Sequence, residues 1–234
     1  VSAWGDFKAD GMMDLLSWDG EGLTIHTQSA DGSFQAGEQL LKGALANDCL
    51  ALVSLDCGKK GAPGVVISMK TSPLLWKADA PQSATPIGGA FAGAALGAPG
   101  LCLLADLDGD ALPDLLQMFE KGSLTYKGKA PGQFEDAKPC GALLGPGASN
   151  AFLGDFDADG WLDIFAVTSD AASRLWSNRG KFEFVDTMAM TGELSYKSNS
   201  GAIGGSTGDF NNDGRQDVFF HYDGESPHLY FSRG

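Results

Sequence analysis

"GDFDADGWLDIF", residues 154–165, places four carboxylates, Asp155, Asp157, Asp159 and Asp163, within nine residues. Like charges this close repel, and a folded loop brings them closer still. A bound cation is the simplest source of compensation.

The stretch recurs along the chain. "GDFKADGMMDLL" starts at Gly5, "ADLDGDALPDLL" at Ala105 and "GDFNNDGRQDVF" at Gly208, and a worn copy, "LDCGKKGAPGVV", starts at Leu55. The anchors are Asp6, Asp56, Asp106, Asp155 and Asp209, at steps of 50, 50, 49 and 54. Self-similarity at a fixed period marks a repeat architecture.

Each copy continues alike. A short apolar run follows the acidic stretch, then a turn containing Gly or Asp, then a second short run: "LTIH", "LLW", "LTY", "RLW" or "HLY". Three copies then carry Gly-x-Phe, from Gly32, Gly132 and Gly180. A strand-like run such as "CLALVS" or "NAFLG" precedes each opening Asp. These are short strands punctuated by turns. One four-stranded unit cannot bury both of its faces, whereas a ring of such units can. The expectation is an all-β protein, a β-propeller of about five four-stranded blades forming one domain over residues 1–234. The blades fall at about 1–50, 51–100, 101–149, 150–203 and 204–234. Only 25 residues follow Asp209, so the last blade is expected to lack its outer strand.

The spacing within each acidic stretch suits calcium, which takes six to eight hard oxygen ligands. A tightly curled chain turns the side chains at loop positions 1, 3 and 5 towards one centre. Gly at position 6 permits the sharp turn, and the carbonyl at position 7 points inward. An EF-hand closes its shell with Glu at position 12. Here position 12 is Ser17, Gln117, Ala166 or Phe220, which excludes that motif. The closing carboxylate is at position 9 instead: Asp14, Asp114, Asp163 or Asp217. The loop therefore closes early and runs straight into a strand.

D-x-D-x-D-G-x-x-D followed by an apolar strand resembles the calcium loops of FG-GAP and VCBS repeats, as in the integrin α-subunit propeller. The later Gly-x-Phe of "WSNRGKFEF" is similar to the VCBS pattern. The resemblance implies a propeller with calcium between the first and second strands of its blades, and a use in binding and adhesion.

About three calcium ions are expected. One site takes Asp106, Asp108, Asp110, the Leu112 carbonyl and Asp114, with Ala111 in place of Gly. A second takes Asp155, Asp157, Asp159, the Trp161 carbonyl and Asp163. The third takes Asp209, Asn211, Asp213, the Arg215 carbonyl and Asp217, the Asn211 amide oxygen being a neutral donor. The loop of Asp6, Asp10, the Met12 carbonyl and Asp14 is a weaker candidate. Its Lys8 stands at position 3, where an ammonium could take the cation's place beside Asp6, Asp10 and Asp14. Gly58, Lys60 and Gly64 leave the second copy without ligands.

Composition narrows the partners. The net charge of −14 opposes binding to nucleic acid, which needs basic patches, and to anionic membrane surfaces. No apolar run approaches the ~20 residues of a membrane-spanning helix. Of the four cysteines, Cys49 and Cys57 lie too far apart to pair if the chain between them is extended. Cys49, Cys102 and Cys140 read equally as buried thiols or as donors of one disulfide. His26 falls where other copies carry Trp76, Tyr126, Trp176 and Tyr230, which makes it a packing position. No nucleophile elbow, P-loop or haem signature is present. The segment 191–208 supplies the extra residues of the longest step, and such loops are where rigid scaffolds carry recognition.

The leading functional expectation is a non-catalytic, calcium-stabilised binding or adhesion module for a protein or glycan. It would be secreted or lie in the cell envelope, because cytosolic calcium is too scarce to fill weak sites. Further blades of a longer chain, or a second copy, are the other expected partners. The alternatives are a hydrolytic enzyme with a site on one propeller face and a structural module of a larger assembly.

Overall fold

The computed structural model describes residues 1–45, 48–57, 63–89, 93–140, 148–168, 173–191 and 202–233. Gly58 and Lys60 of the worn copy, and most of segment 191–208, lie outside the described residues.

The chain is all-β. Its first sheet runs in order β1-β2-β3-β4: Ser2–Gly5, Asp14–Trp18, Leu23–Gln28 and Phe34–Leu40. The second has β5 (Cys49–Asp56), β6 (Pro63–Met69), β7 (Leu74–Lys77) and β8 (Ala84–Pro86) in the same simple order. The third sets β9 (Pro99–Ala105), β10 (Asp114–Phe119) and β11 (Gly122–Tyr126) beside β14 (Lys138–Pro139). A small hairpin, β12 (Gly128–Ala130) and β13 (Gln133–Phe134), interrupts it before the outer strand. The fourth holds β15 (Ala148–Gly154), β16 (Asp163–Thr168), β17 (Ser173–Asn178) and β18 (Phe184–Asp186). The last has three strands, β19 (Ala202–Gly208), β20 (Asp217–Tyr222) and β21 (His228–Tyr230). Consecutive antiparallel strands joined by tight turns are the blades of a propeller fold. Among the described residues the last sheet has three strands.

Register makes each acidic stretch the hairpin connection between a blade's first two strands. Gly5 pairs with Asp14, Gly154 with Asp163 and Gly208 with Asp217. The third strands carry the aromatic position opposite the second: Val65 pairs with Trp76, Ile164 with Trp176, Val218 with Tyr230 and Leu15 with His26. Trp76 and Tyr126 are fully buried, as packing residues should be.

Backbone contacts divide the chain into two compact units. One comprises Val1–Ala95, Cys102–Leu104 and Tyr126–Ala137; the other comprises Leu96–Leu101, Ala105–Thr125 and Lys138–Gly234. In the first unit, Ala3, Leu16 and Leu23 pack with Leu52, Ile67 and Trp76, and the Phe7 ring meets Trp76 edge-on at 5.6 Å. In the second unit, Phe165 and Val167 pack with Val218, Phe220 and Tyr222, with Phe152 and Phe156 against them. Phe165 and Phe220 are 4.8 Å apart between ring centroids.

Second strands record which blades are covered on both faces. A strand with one open face alternates in burial, and a strand covered on both does not. All six residues of β10 are buried, as are Gly64–Met69 and Asp163–Val167. In β20, Val218, Phe220 and Tyr222 are buried whereas Phe219 and His221 are not. β2 alternates in the same way over Asp14–Ser17. Apolar side chains are exposed on these two blades, Trp4 and Phe34 on the first and Phe210, Leu229 and Phe231 on the last.

Cys49, Cys57 and Cys102 are buried thiols, Cys140 is half-buried, and all four are free. Burial pushes the Cys49 thiol up to about 11 and Cys102 to about 12, so neither is reactive near neutral pH.

Candidate metal loops

The four well-kept acidic stretches fold by one hydrogen-bond scheme. The first Asp accepts backbone N–H groups from positions 5 and 6, one on each oxygen. For Asp155 these come from Asp159 and Gly160, both at 3.0 Å; for Asp209, from Asp213 at 2.9 Å and Gly214 at 2.8 Å. Asp6 and Asp106 do the same. The Asp at position 5 accepts the N–H of position 7, at 3.0 Å in all four: Asp10 from Met12, Asp110 from Leu112, Asp159 from Trp161 and Asp213 from Arg215. Short acidic side chains that bond nearby backbone are the usual means of holding such turns.

Two residues per loop take the left-handed conformation. Position 6 is Gly11, Gly160 or Gly214, and Ala111 adopts it too, with φ of 65°. Position 4 does so as well: Ala9, Gly109, Ala158 and Asn212, with φ between 58° and 76°. A non-glycine residue there costs roughly 1–2 kcal/mol, so the remaining loop contacts must hold it in place.

The position-9 carboxylate is a structural tie. Asp14, Asp114, Asp163 and Asp217 are completely buried. Asp163 accepts the Phe156 N–H on one oxygen at 2.9 Å and the Asn178 N–H on the other at 2.8 Å. Asp217 takes Phe210 and Ser232 in the same way, both at 2.9 Å. Leu107 donates to Asp114, and Gln28 to Asp14. This Asp thus ties the loop start to the end of the third strand. Burial pushes Asp163 up to about 6, against the pull of its two backbone donors, with the charges of Asp157 and Asp159 adding to the rise. Asp14 departs from the scheme, because its Oδ2 is buried without a hydrogen-bond partner.

Two acidic groups bring carboxylate oxygens within 4.8 Å of one another: Asp106 with Asp108 and Asp114, and Asp155 with Asp157 and Asp159. Their donor sets are all oxygen and all anionic, which fits a hard divalent cation and not a soft one. In the 209–217 loop Asn211 replaces an acidic residue; its Nδ2 donates to Asp213 Oδ2 at 2.9 Å, and its Oδ1 accepts the Asp213 N–H at 3.0 Å. In the 6–14 loop Lys8 is exposed and makes no ion pair with Asp6, Asp10 or Asp14, so the ammonium does not sit in the cation's place.

A guanidinium does so elsewhere. Arg179, in the turn after β17, reaches Asp157 Oδ2 and Asp159 Oδ2 with one nitrogen, at 3.1 Å each. Spacing in the chain does not point to this contact, since 22 and 20 residues separate the partners. The only available signal was a basic residue in "SNRGKF", one step before the Gly of the turn.

Asn178 and Trp161 join the two acidic groups. Asn178 is completely buried, and its Nδ2 donates to the Leu107 carbonyl at 2.9 Å and to the Leu162 carbonyl at 3.1 Å. Its Oδ1 accepts the Gly180 N–H at 2.9 Å. The Trp161 ring lies where side chains at Gly109 and Gly180 would be: a Cβ there would stand 2.7 Å and 3.0 Å from ring atoms. Trp161, half-buried, thus lies against Gly109 of the 106–114 loop and Gly180 of the turn after β17.

Among solved structures, a lectin from Agrocybe aegerita described by its specific recognition of non-reducing terminal N-acetylglucosamine matches with a TM-score of 0.71. Identity is 17%, over 100% of this chain and 63% of the lectin. The Photorhabdus luminescens Tc holotoxin pore matches with a TM-score of 0.51 at 16% identity, over 98% of this chain and 11% of the toxin chain. The V. cholerae biofilm matrix protein Bap1 reaches 0.49 at 15% identity, over 94% of this chain and 34% of Bap1. The chain therefore spans less than two thirds of each of these proteins, and the first two likenesses concern the fold alone. No curated protein matches the sequence. Residues 106–166 and 155–220 match the model of the FG-GAP-like repeat, each span opening on the first Asp of an acidic loop. With the loops and the blade order in agreement with this match, the chain carries FG-GAP-like repeats over residues 106–220.

Proposed function

We propose that residues 1–234 form one calcium-stabilised binding module, non-catalytic, that recognises a protein or glycan outside the cytoplasm. The observation that carries this reading is the pre-folded acidic loop. Backbone N–H groups already hold Asp106 and Asp155 in place, and neighbouring carboxylates converge on them, at Asp157 and Asp159 beside the Arg179 guanidinium. Calcium is the ion such hard, anionic oxygen sets favour in a calcium-rich compartment. It would be held by Asp106, Asp108, Asp110, Asp114 and the Leu112 carbonyl, and by Asp155, Asp157, Asp159, Asp163 and the Trp161 carbonyl. Asp209, Asn211, Asp213, Asp217 and the Arg215 carbonyl form the third site. The bound ion supplies charge neutralisation, and the residues fix the hairpins from which a blade's surface loops project.

The ion's role is then structural. With a dissociation constant near 0.1 mM and about 1 mM calcium, each site adds roughly 1.4 kcal/mol, and three sites about 4 kcal/mol. Melting in calcium and in chelator tests this, and an unchanged midpoint rejects it. Glycan recognition draws support from the likeness in fold to a lectin. An array that includes glycans ending in N-acetylglucosamine tests that part, and a blank array alongside a captured protein partner would leave the protein reading standing.

A further inference from the structure

The 155–163 loop already contains a positive charge supplied by the chain itself. Arg179 lies within 3.1 Å of both Asp157 and Asp159, the carboxylates at positions 3 and 5. The turn that carries it is held on three sides. The Arg179 N–H donates to the Glu183 carbonyl at 2.7 Å, Glu183 donates back to Gly180 at 3.0 Å, and Gly180 is fixed to Asn178. Asn178 is itself bonded to the loop through the Leu162 carbonyl and through Asp163. The guanidinium is therefore presented to the acidic group by a rigid turn, while its own side chain stays 45% exposed and can leave.

We infer that Arg179 is the resident counter-cation of the 155–163 loop and competes with a divalent ion for Asp157 and Asp159. This rests on the reading of that loop as a calcium site. The guanidinium places a positive charge 3.1 Å from both Oδ2 atoms, where it repels a divalent ion that approaches the same carboxylates. Binding therefore exchanges two ion pairs for coordination and releases the arginine into water. The effect is graded, since ion pairs this exposed are individually weak. Arg179 thus sets the calcium concentration at which this loop fills.

Calorimetric titration with calcium decides the matter, using protein that carries Asp108→Ala and Asn211→Ala, which remove the position-3 oxygen from the 106–114 and 209–217 loops. Arg179→Gln should tighten the remaining 155–163 site by about tenfold, the change expected for removing two weak ion-pair competitors. Lys181→Gln removes an equal charge from the same turn and should change affinity less than twofold. An equal effect of both substitutions, or none from Arg179→Gln, overturns direct competition. Nitrogen NMR of the Arg179 guanidinium in unaltered protein gives a second readout. Its side-chain N–H should be protected from solvent exchange without calcium and exposed with it; protection in both states also overturns the inference. Calcium heat that persists but ignores Arg179 leaves the site assignment intact, whereas no binding in any of these proteins removes both readings.

Discussion

Asn178 Nδ2 donates to the carbonyl of Leu107, 71 residues earlier, at 2.9 Å. The bond joins the end of a third strand to the acidic loop of the preceding blade, inside a fully buried site. It belongs to a side chain that satisfies three backbone groups at once. Asn178→Ala would leave two carbonyls and one N–H buried without that partner. The expected loss is about 3 kcal/mol, read by urea denaturation. A loss under about 1 kcal/mol would mean that water takes the amide's place.

The second position of each acidic loop should differ sharply in worth from blade to blade. Phe7 is buried against Trp76, whereas Phe210 is 50% exposed. Phe7→Ala should cost about 3–5 kcal/mol and Phe210→Ala under about 1 kcal/mol. Equal losses in thermal unfolding would mean that Phe210 is covered in solution.

Gly109 and Gly160 both have left-handed φ, 76° and 91°, but only Gly109 faces a neighbour. A Cβ at Gly160 meets nothing within 4 Å, and one at Gly109 would be 2.7 Å from the Trp161 ring. Gly160→Ala should cost about 1 kcal/mol from backbone strain alone. Gly109→Ala should cost more, because Trp161 must also move. Melting in chelator ranks the two without any contribution from bound ions.

Lys8 is exposed and unpaired with the carboxylates of its loop, so its replacement should be tolerated. Lys8→Asp completes the oxygen pattern of the first blade, and one more calcium per chain is expected by elemental analysis. An unchanged stoichiometry would show that position 3 of this loop does not reach the ion.

Much of the architecture could be read from the chain because it repeats. In-phase Asp6, Asp106, Asp155 and Asp209 mark the hairpin between the first and second strands of a blade, and the aromatic phase of Trp76, Tyr126 and Trp176 marks the third strand. Short-range chemistry of this kind needs no knowledge of what lies across the fold. The contacts of Arg179 and Asn178 were illegible for the opposite reason, since their partners are set by how strands stack and not by spacing in the chain. The burial of Asp163 and Asp217 was hidden too. Spacing identifies a carboxylate near an ion, but not one that spends both oxygens on backbone N–H groups. The left-handed Ala158 also ran against local preference, and it is the loop's own hydrogen bonds that hold it there.

The indole of Trp161 rests over Gly109 and Gly180, between two acidic loops. An aromatic ring in that place is an antenna. Were a luminescent lanthanide held among the carboxylates of either loop, light absorbed by the ring would sensitise its emission. The chain has five tryptophans, so the signal is the difference between the parent protein and its Trp161→Phe variant. Sensitised emission that Trp161→Phe abolishes would report an ion in these loops with no dye attached.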